Sequence, residues 1–256
     1  MSYRRKIRRL RPPVTFEKIR QVSVNMLLNN YTEEERDEIY DELRRGVAIV
    51  ERNRYLMQYM LSYGLMHEAK LKKAFKKIKN DINGQSIEII DYGAGQALAS
   101  FVLLEYIRDK RLGVKVECIT LIDPSLRALK RGKLHLKTIR NDINENIRID
   151  IVNKKLEEIE HDDLETISDN IKIHLFSNIL DIDDIRLGRL VNKIRNTQEG
   201  ENYFVCVGPL NDNSDKIDRF YRKWNRRYLV ENYLNYENDD WRRSWTIKAR
   251  VFKVDL

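Results

Sequence analysis

The stretch Ile87-Glu-Ile-Ile-Asp91-Tyr-Gly93-Ala-Gly95-Gln-Ala97 decides the fold. Branched apolar residues make a short strand ending in an acid, a turn built on two glycines follows, and a helix-forming run, Ala97 to Lys110, comes at once. Strand, glycine turn and helix in that order make a nucleotide pocket. Without a Cβ, Gly93 and Gly95 can take positive φ and let a ligand lie against the backbone. The helix start offers N–H groups to an electronegative atom. The carboxylate of Asp91 suits a ligand end carrying an ammonium or hydroxyls and suits a pyrophosphate poorly. A dinucleotide fingerprint needs glycine at position 98, where this chain has Leu98, which counts against NAD. Such a glycine pair can also serve tight packing alone.

Outward from this turn, strands and helices alternate. Val116–Ile122 reads as a second strand ending at Asp123-Pro124, where Asp123 can cap the next helix and Pro124 can open it. Ile147–Val152, Ile171–Phe176 and Tyr203–Val207 read as further strands, with Leu187, Leu190, Val191 and Ile194 on one helix face between the last two. Near-continuous apolar strands in repeated β-then-α order predict a parallel sheet covered on both faces. Ile217, Phe220, Tyr221, Trp224 and Tyr228 share one side of a helix, expected as core, with cations on the other. Thr246–Arg250 alternates strictly, the pattern of a half-exposed or antiparallel edge-region strand.

Upstream, residues 1–13 read as a flexible basic arm ended by Pro12-Pro13, and residues 14–83 as a helical extension. Thr32 with Glu35 makes a capping-box pattern, and Val47–Phe75 carries apolar residues at three-and-four spacing. Residues 84–256 then form the nucleotide-pocket domain. The fold class expected is α/β: a Rossmann-like, doubly wound, mostly parallel sheet with a late antiparallel strand, preceded by an α-helical N-terminal extension.

Composition bounds the rest. A hydrophobic share of 42% over 256 residues supports a sizeable core. No run approaches the roughly 18 apolar residues of a membrane span. Cys118 and Cys206 sit in apolar strand segments and read as buried thiols; the four scattered histidines show no metal-ligand spacing. A cytoplasmic protein is the default expectation, with an Arg-rich transit peptide as the lesser one. Net charge of +8 favours acidic partners.

The ordered set Asp91-x-Gly93-x-Gly95-x-Ala97, Ile122-Asp123 and Phe176-Ser177-Asn178 resembles the class I S-adenosylmethionine (SAM)-dependent methyltransferases, over roughly Ile87 to the C-terminus. The resemblance implies SAM as cofactor and methyl transfer as activity. By that likeness Asp91, Gly93, Ala94 and Gly95 hold the methionine moiety, and Asp123 holds the ribose, whose two hydroxyls also match its two acceptor oxygens. Asn153 lies by the adenine, and Ser177 and Asn178 line the methyl-transfer site. Ala97 stands where the family usually has a third glycine. Ser177-Asn178-Ile179-Leu180 lacks the Asn/Asp-Pro-Pro-aromatic signature of amino-group methylation on bases, and no Pro-Cys nucleophile is present. The expected acceptor is RNA or another acidic macromolecule, met through the arm Arg4–Arg11. A non-catalytic SAM-binding scaffold or sensor and a small-molecule methyltransferase are the alternatives.

Overall fold

The computed structural model describes residues 1–44, 49–144, 146–167, 169–182, 184–211, 215–238 and 246–256. Val47, which opens the expected helical stretch, lies outside them. Four N-terminal helices, α1 (Tyr3–Ile7), α2 (Phe16–Leu28), α3 (Glu33–Glu42) and α4 (Asn53–Ile82), precede β1 (Ser86–Tyr92). Then come α5 (Leu98–Asp109), β2 (Lys115–Ile122), α6 (Leu126–Ile139), β3 (Arg148–Val152), β4 (Ile171–Ser177), α7 (Leu187–Thr197), β5 (Glu201–Gly208), α8 (Asp215–Asn225), β6 (Val230–Asn238) and β7 (Ile247–Asp255).

The strands form one seven-stranded sheet in the order β3-β2-β1-β4-β5-β7-β6. β1 to β5 are parallel, and β7 runs antiparallel to both β5 and β6. This is the Rossmann-like arrangement expected from the sequence, with the order reversing beside β1. Period-two geometry sends alternate residues to opposite faces. Ile87 and Ile89 join the core under α4, α5 and the other N-terminal helices. Ile90 and Tyr92 join the core under α7 and α8, where Ile217, Phe220 and Trp224 are buried as their helical spacing predicts.

Four expectations need correction. Residues 1–13 are no free arm: α1 docks through buried Tyr3 and Ile7, a pair one turn apart that its arginines obscure in the sequence. The helical extension shares one continuous core with the sheet, from Ile7 through Phe75 to Val251. β7 is antiparallel and next to the edge strand as expected, but it is not half-exposed: its Lys248 is buried in an ion pair with Asp218 at 2.7 Å. The edge belongs to β6, whose polar run Val-Glu-Asn-Tyr gave no strand signal. Finally, α6 is capped by Ser125, whose side chain accepts from the Ala128 N–H; Asp123 and Pro124 lie ahead of the cap. The capping box of α3 forms as read, and Cys118 and Cys206 are buried free thiols. Among the described residues no helix is long and apolar enough to cross a membrane.

Candidate functional site

Parallel pairing sets Asp91 opposite Leu121 and Tyr92 opposite Ile122, so Asp123 leaves β2 right beside the glycine turn. Gly93 and Gly95 both take positive φ, at +65° and +51°. A Cβ on Gly93 would stand 2.6 Å from the Ile179 side chain, whereas one on Gly95 would meet nothing within 4 Å. The turn therefore presents one bare backbone face, at Gly95, and has the other covered. Ala97 follows at φ +59°, a left-handed conformation that costs an L-residue about 1–2 kcal/mol.

The two acids brace this turn. Asp91 Oδ2 accepts from the Ser100 hydroxyl at 2.7 Å and from its N–H at 3.2 Å, fixing the first turn of α5. Asp123 accepts from the Gly95 N–H at 3.0 Å and from the Ser125 N–H at 2.7 Å. Ala97 N–H is spent on the Ala94 carbonyl and Ala94 N–H on Ile122. So N–H groups expected to be open to a ligand at the helix start are partly committed within the turn. Burial pushes the Asp91 carboxyl up to about 7, with the Ser100 hydrogen bonds pulling it down and neighbouring Asp123 adding to the rise. Burial also raises Asp123, against the pull of the Ser125 and Gly95 N–H groups. A buried acid held this high gains most from a cation set beside it.

One cavity of about 120 Å3 collects Asp91, Gly93, Ala94, Gly95, Asp123, Ser177 and Asn178. Asn153 is not in it: its side-chain amide donates to the carbonyls of Asp123 at 3.0 Å and Pro124 at 2.8 Å, holding the β2 exit from behind. Its side chain lines a second, larger cavity, which shares Pro124 and Ser125 with the first. Asn178 has φ +56°, a region this residue tolerates well, and its amide nitrogen lies 3.3 Å from His67 Nδ1 and 3.1 Å from Ser177 Oγ.

Helix α4, part of the helical extension, roofs the site. Its Leu56, Tyr59 and His67 line the cavity, with Ile49 and Val50 just ahead of it. Buried Gln96 donates to the Leu56 carbonyl at 2.9 Å, and the Ser125 hydroxyl donates to the Val50 carbonyl, so the roof is bonded to both turns. Gln96 and Ser125 carry no sequence motif that marks them for this place. Burial and the nearby Lys70 ammonium push His67 down to about 3, leaving a neutral imidazole that is a poor base. Burial pulls Lys70 down to about 8.

No known family profile and no curated protein matches this sequence. Solved structures do resemble it in outline. A magnesium protoporphyrin IX methyltransferase from Synechocystis with bound SAM matches 96% of this chain and 99% of its own at 8% identity and a TM-score of 0.48. A Streptococcus mutans protein described as a methyltransferase, in complex with SAH, matches 73% of this chain and 98% of its own at 12% identity and a TM-score of 0.47. A precorrin 8w decarboxylase of Methanobacterium thermoautotrophicum matches 73% and 90% at 13% identity and a TM-score of 0.44. At these identities no substrate carries over from any of them.

Proposed function

We propose that this chain, which has the Rossmann-like fold implied by its resemblance to class I SAM-dependent methyltransferases, is a SAM-dependent methyltransferase acting on RNA or another acidic macromolecule. The observation that carries this reading is the shared cavity of Asp91 and Asp123 beside the uncovered backbone of Gly95. The fittings suit SAM. Asp91 would hold the α-ammonium, the Gly93–Gly95 backbone with Ala94 the methionine stem, and the spare lone pairs of Asp123 the ribose hydroxyls. The adenine would run past Pro124 toward Asn153. The cavity of about 120 Å3 is smaller than the roughly 300–1,000 Å3 of ligand pockets, so entry displaces the cover formed by Ile49, Val50, Leu56 and Tyr59.

Bound SAM supplies an electrophilic methyl on sulfur. What remains for the protein is alignment, which contributes about 7–11 kcal/mol to barrier reduction in good cases. Asn178, its amide nitrogen spent on His67 and Ser177, keeps a carbonyl oxygen to receive an acceptor N–H or O–H. Neutral His67 fixes that amide and does not serve as the base. Ser177 lines the same end of the cavity.

Two measurements test the reading. Calorimetry should show SAM and its demethylated product binding the wild type, with at least a tenfold loss in Asp123→Ala. Methyl-labelled SAM should then mark RNA in preference to DNA or protein; no transfer to any of the three sinks the acidic-acceptor version. The closed cavity and the weak base also favour a non-catalytic SAM-binding scaffold, which predicts cofactor binding without turnover for any acceptor. A small-molecule methyltransferase predicts turnover that is unchanged when the exposed Arg4 and Arg8 are replaced by alanine.

A further inference from the structure

We propose that the recess between α1 and α6 binds the phosphodiester backbone of a single-stranded nucleic acid. This deepens the acidic-acceptor reading and rests on it for the strand's role as methyl acceptor, while the binding itself follows from charge and shape. The recess has a volume of about 990 Å3. Arg4 and Arg8, one turn apart on α1, form one wall; Arg127, Lys130, Arg131 and Lys137, on one face of α6, form the other, and Glu51 is the acid among the lining residues. Other cations are paired with acids, as Arg108 is with Asp142 and Arg250 with Asp218. Among the described residues Arg4, Arg8, Arg127, Lys130 and Lys137 have no such carboxylate. Like charges three or four residues apart cost a helix a few tenths of a kcal/mol each (about 0.2–0.5), a cost that a row of phosphates reverses.

Arg131 makes the recess a built feature. It is only 6% exposed, its guanidinium lies 4.0 Å from the centre of the Tyr3 ring, and its Nη2 donates to Asn53 Oδ1 at 2.9 Å. Its Nη1 has no hydrogen-bond partner. Tyr3 is the aromatic of the lining, and Arg131 covers its ring, so the recess meets phosphates and does not stack bases. A recess with cations on two facing walls fits a strand better than a flat anionic membrane, which would need protruding apolar anchors.

The recess is wired to the turn. His135 Nδ1 lies 3.2 Å from the Gln96 carbonyl, which can only accept, so the imidazole proton is on Nδ1. Its Nε2 must then accept from the Tyr3 hydroxyl at 2.7 Å. Helix α1 is thereby bonded, through one ring, to the residue that follows Gly95, and Pro124 and Ser125 wall both cavities.

The test is anisotropy of a labelled, mixed-sequence single strand of about 20 nucleotides, as RNA and as DNA, across a KCl series. Wild type should bind the RNA strand with a log–log salt slope near −3.5, at about 0.7 per neutralised phosphate for Arg4, Arg8, Arg127, Lys130 and Lys137. Arg127→Ala/Lys130→Ala/Lys137→Ala, all exposed positions, should lose at least tenfold and show a slope shallower by about 2. Arg219→Ala/Lys223→Ala/Arg226→Ala removes equal charge from exposed positions on α8 and just after it and should stay within twofold of wild type. Equal binding by wild type and the α6 variant overturns the proposal, as does equal loss in both variants, or capture of anionic phospholipid vesicles with no strand bound. SAM calorimetry on the same proteins separates the two claims. A strand bound as expected with no SAM binding leaves the recess standing and removes the methyltransferase reading.

Discussion

At the scale of single residues, the site is governed by what burial does to protons. Asp91 sits near 7 because it is desolvated, and an ammonium beside it needs the ionised form. SAM affinity should therefore fall about tenfold per unit as pH drops below about 7, and Asp91→Asn should both weaken binding and flatten that dependence. A flat wild-type profile by calorimetry would remove Asp91 from the ammonium. Gly95→Ala offers a cleaner separation. Its methyl meets no protein atom, so the stability cost is the left-handed backbone alone, about 1–2 kcal/mol. The methyl projects into the space reserved for the ligand, and SAM binding should drop far more than that. Loss of stability without loss of binding would mean the open face of Gly95 is not the ligand's. Tyr3→Phe leaves buried His135 Nε2 with no donor and should cost about 1–3 kcal/mol in chemical denaturation.

At the scale of elements, the contact of α6 with the glycine turn is close enough to dictate sequence. A Cβ on Gly132 would stand 2.8 Å from Ala97 Cβ and 2.9 Å from the Gln96 carbonyl carbon. Gly132→Ala gains about 1 kcal/mol in helix propensity but overpacks by about 1–3 kcal/mol, and the push lands on the turn. We expect a net loss of stability and a weaker grip on SAM. Adding Ala97→Gly, which removes one of the two clashes and the left-handed strain of Ala97, should recover part of both. The five parallel strands, the helices between them, the capping box and the apolar side of α8 were legible because each has a short-range signature: period, cap or breaker. β6 was not, since its residues are polar and its place depends on pairing with β7. Nor was the buried status of β7, whose Lys248 is matched by Asp218, an acid from a distant helix. In the site, Asp91, Gly93, Ala94, Gly95, Asp123, Ser177 and Asn178 could be read from the strand-tip rule and do share a cavity. Asn153, set by the adenine only through the family resemblance, lies outside that cavity, its amide turned onto the Asp123 and Pro124 carbonyls, a direction no motif encodes. Gln96, Tyr59 and His67 were hidden or faint because their roles arise only when α4 folds across the sheet edge.

At the scale of the whole molecule, three histidines are held neutral inside: His67 and His135 near 3 and His174 near 4, each chiefly by burial. His174 is locked between Tyr92 and Asn202, at 3.1 Å and 3.0 Å. Their folded values lie below the roughly 6.5 of an unfolded histidine, so their stabilisation is full above about 6.5 and drains away as pH falls toward 4. Asp91, raised to about 7, acts in the opposite sense, since the folded chain keeps a proton in that window that the unfolded chain has released. The balance is about two protons, so unfolding free energy should fall by roughly 2–3 kcal/mol for each pH unit between 6 and 5. A flat denaturation midpoint over that unit would contradict neutral burial of the three rings. The position of β7, between β5 and β6 and against α4, also has a temporal meaning. Helix α4 leaves the ribosome well before β7, yet part of the surface it must bury is supplied by that strand. A nascent chain therefore waits with that flank uncovered until β7 has been made, and pairings so distant in sequence are intrinsically slow to form. The stretch Ile247–Asp255 thus acts as the closing stitch of the fold, and a chain truncated just before it should yield an insoluble product instead of a smaller working one.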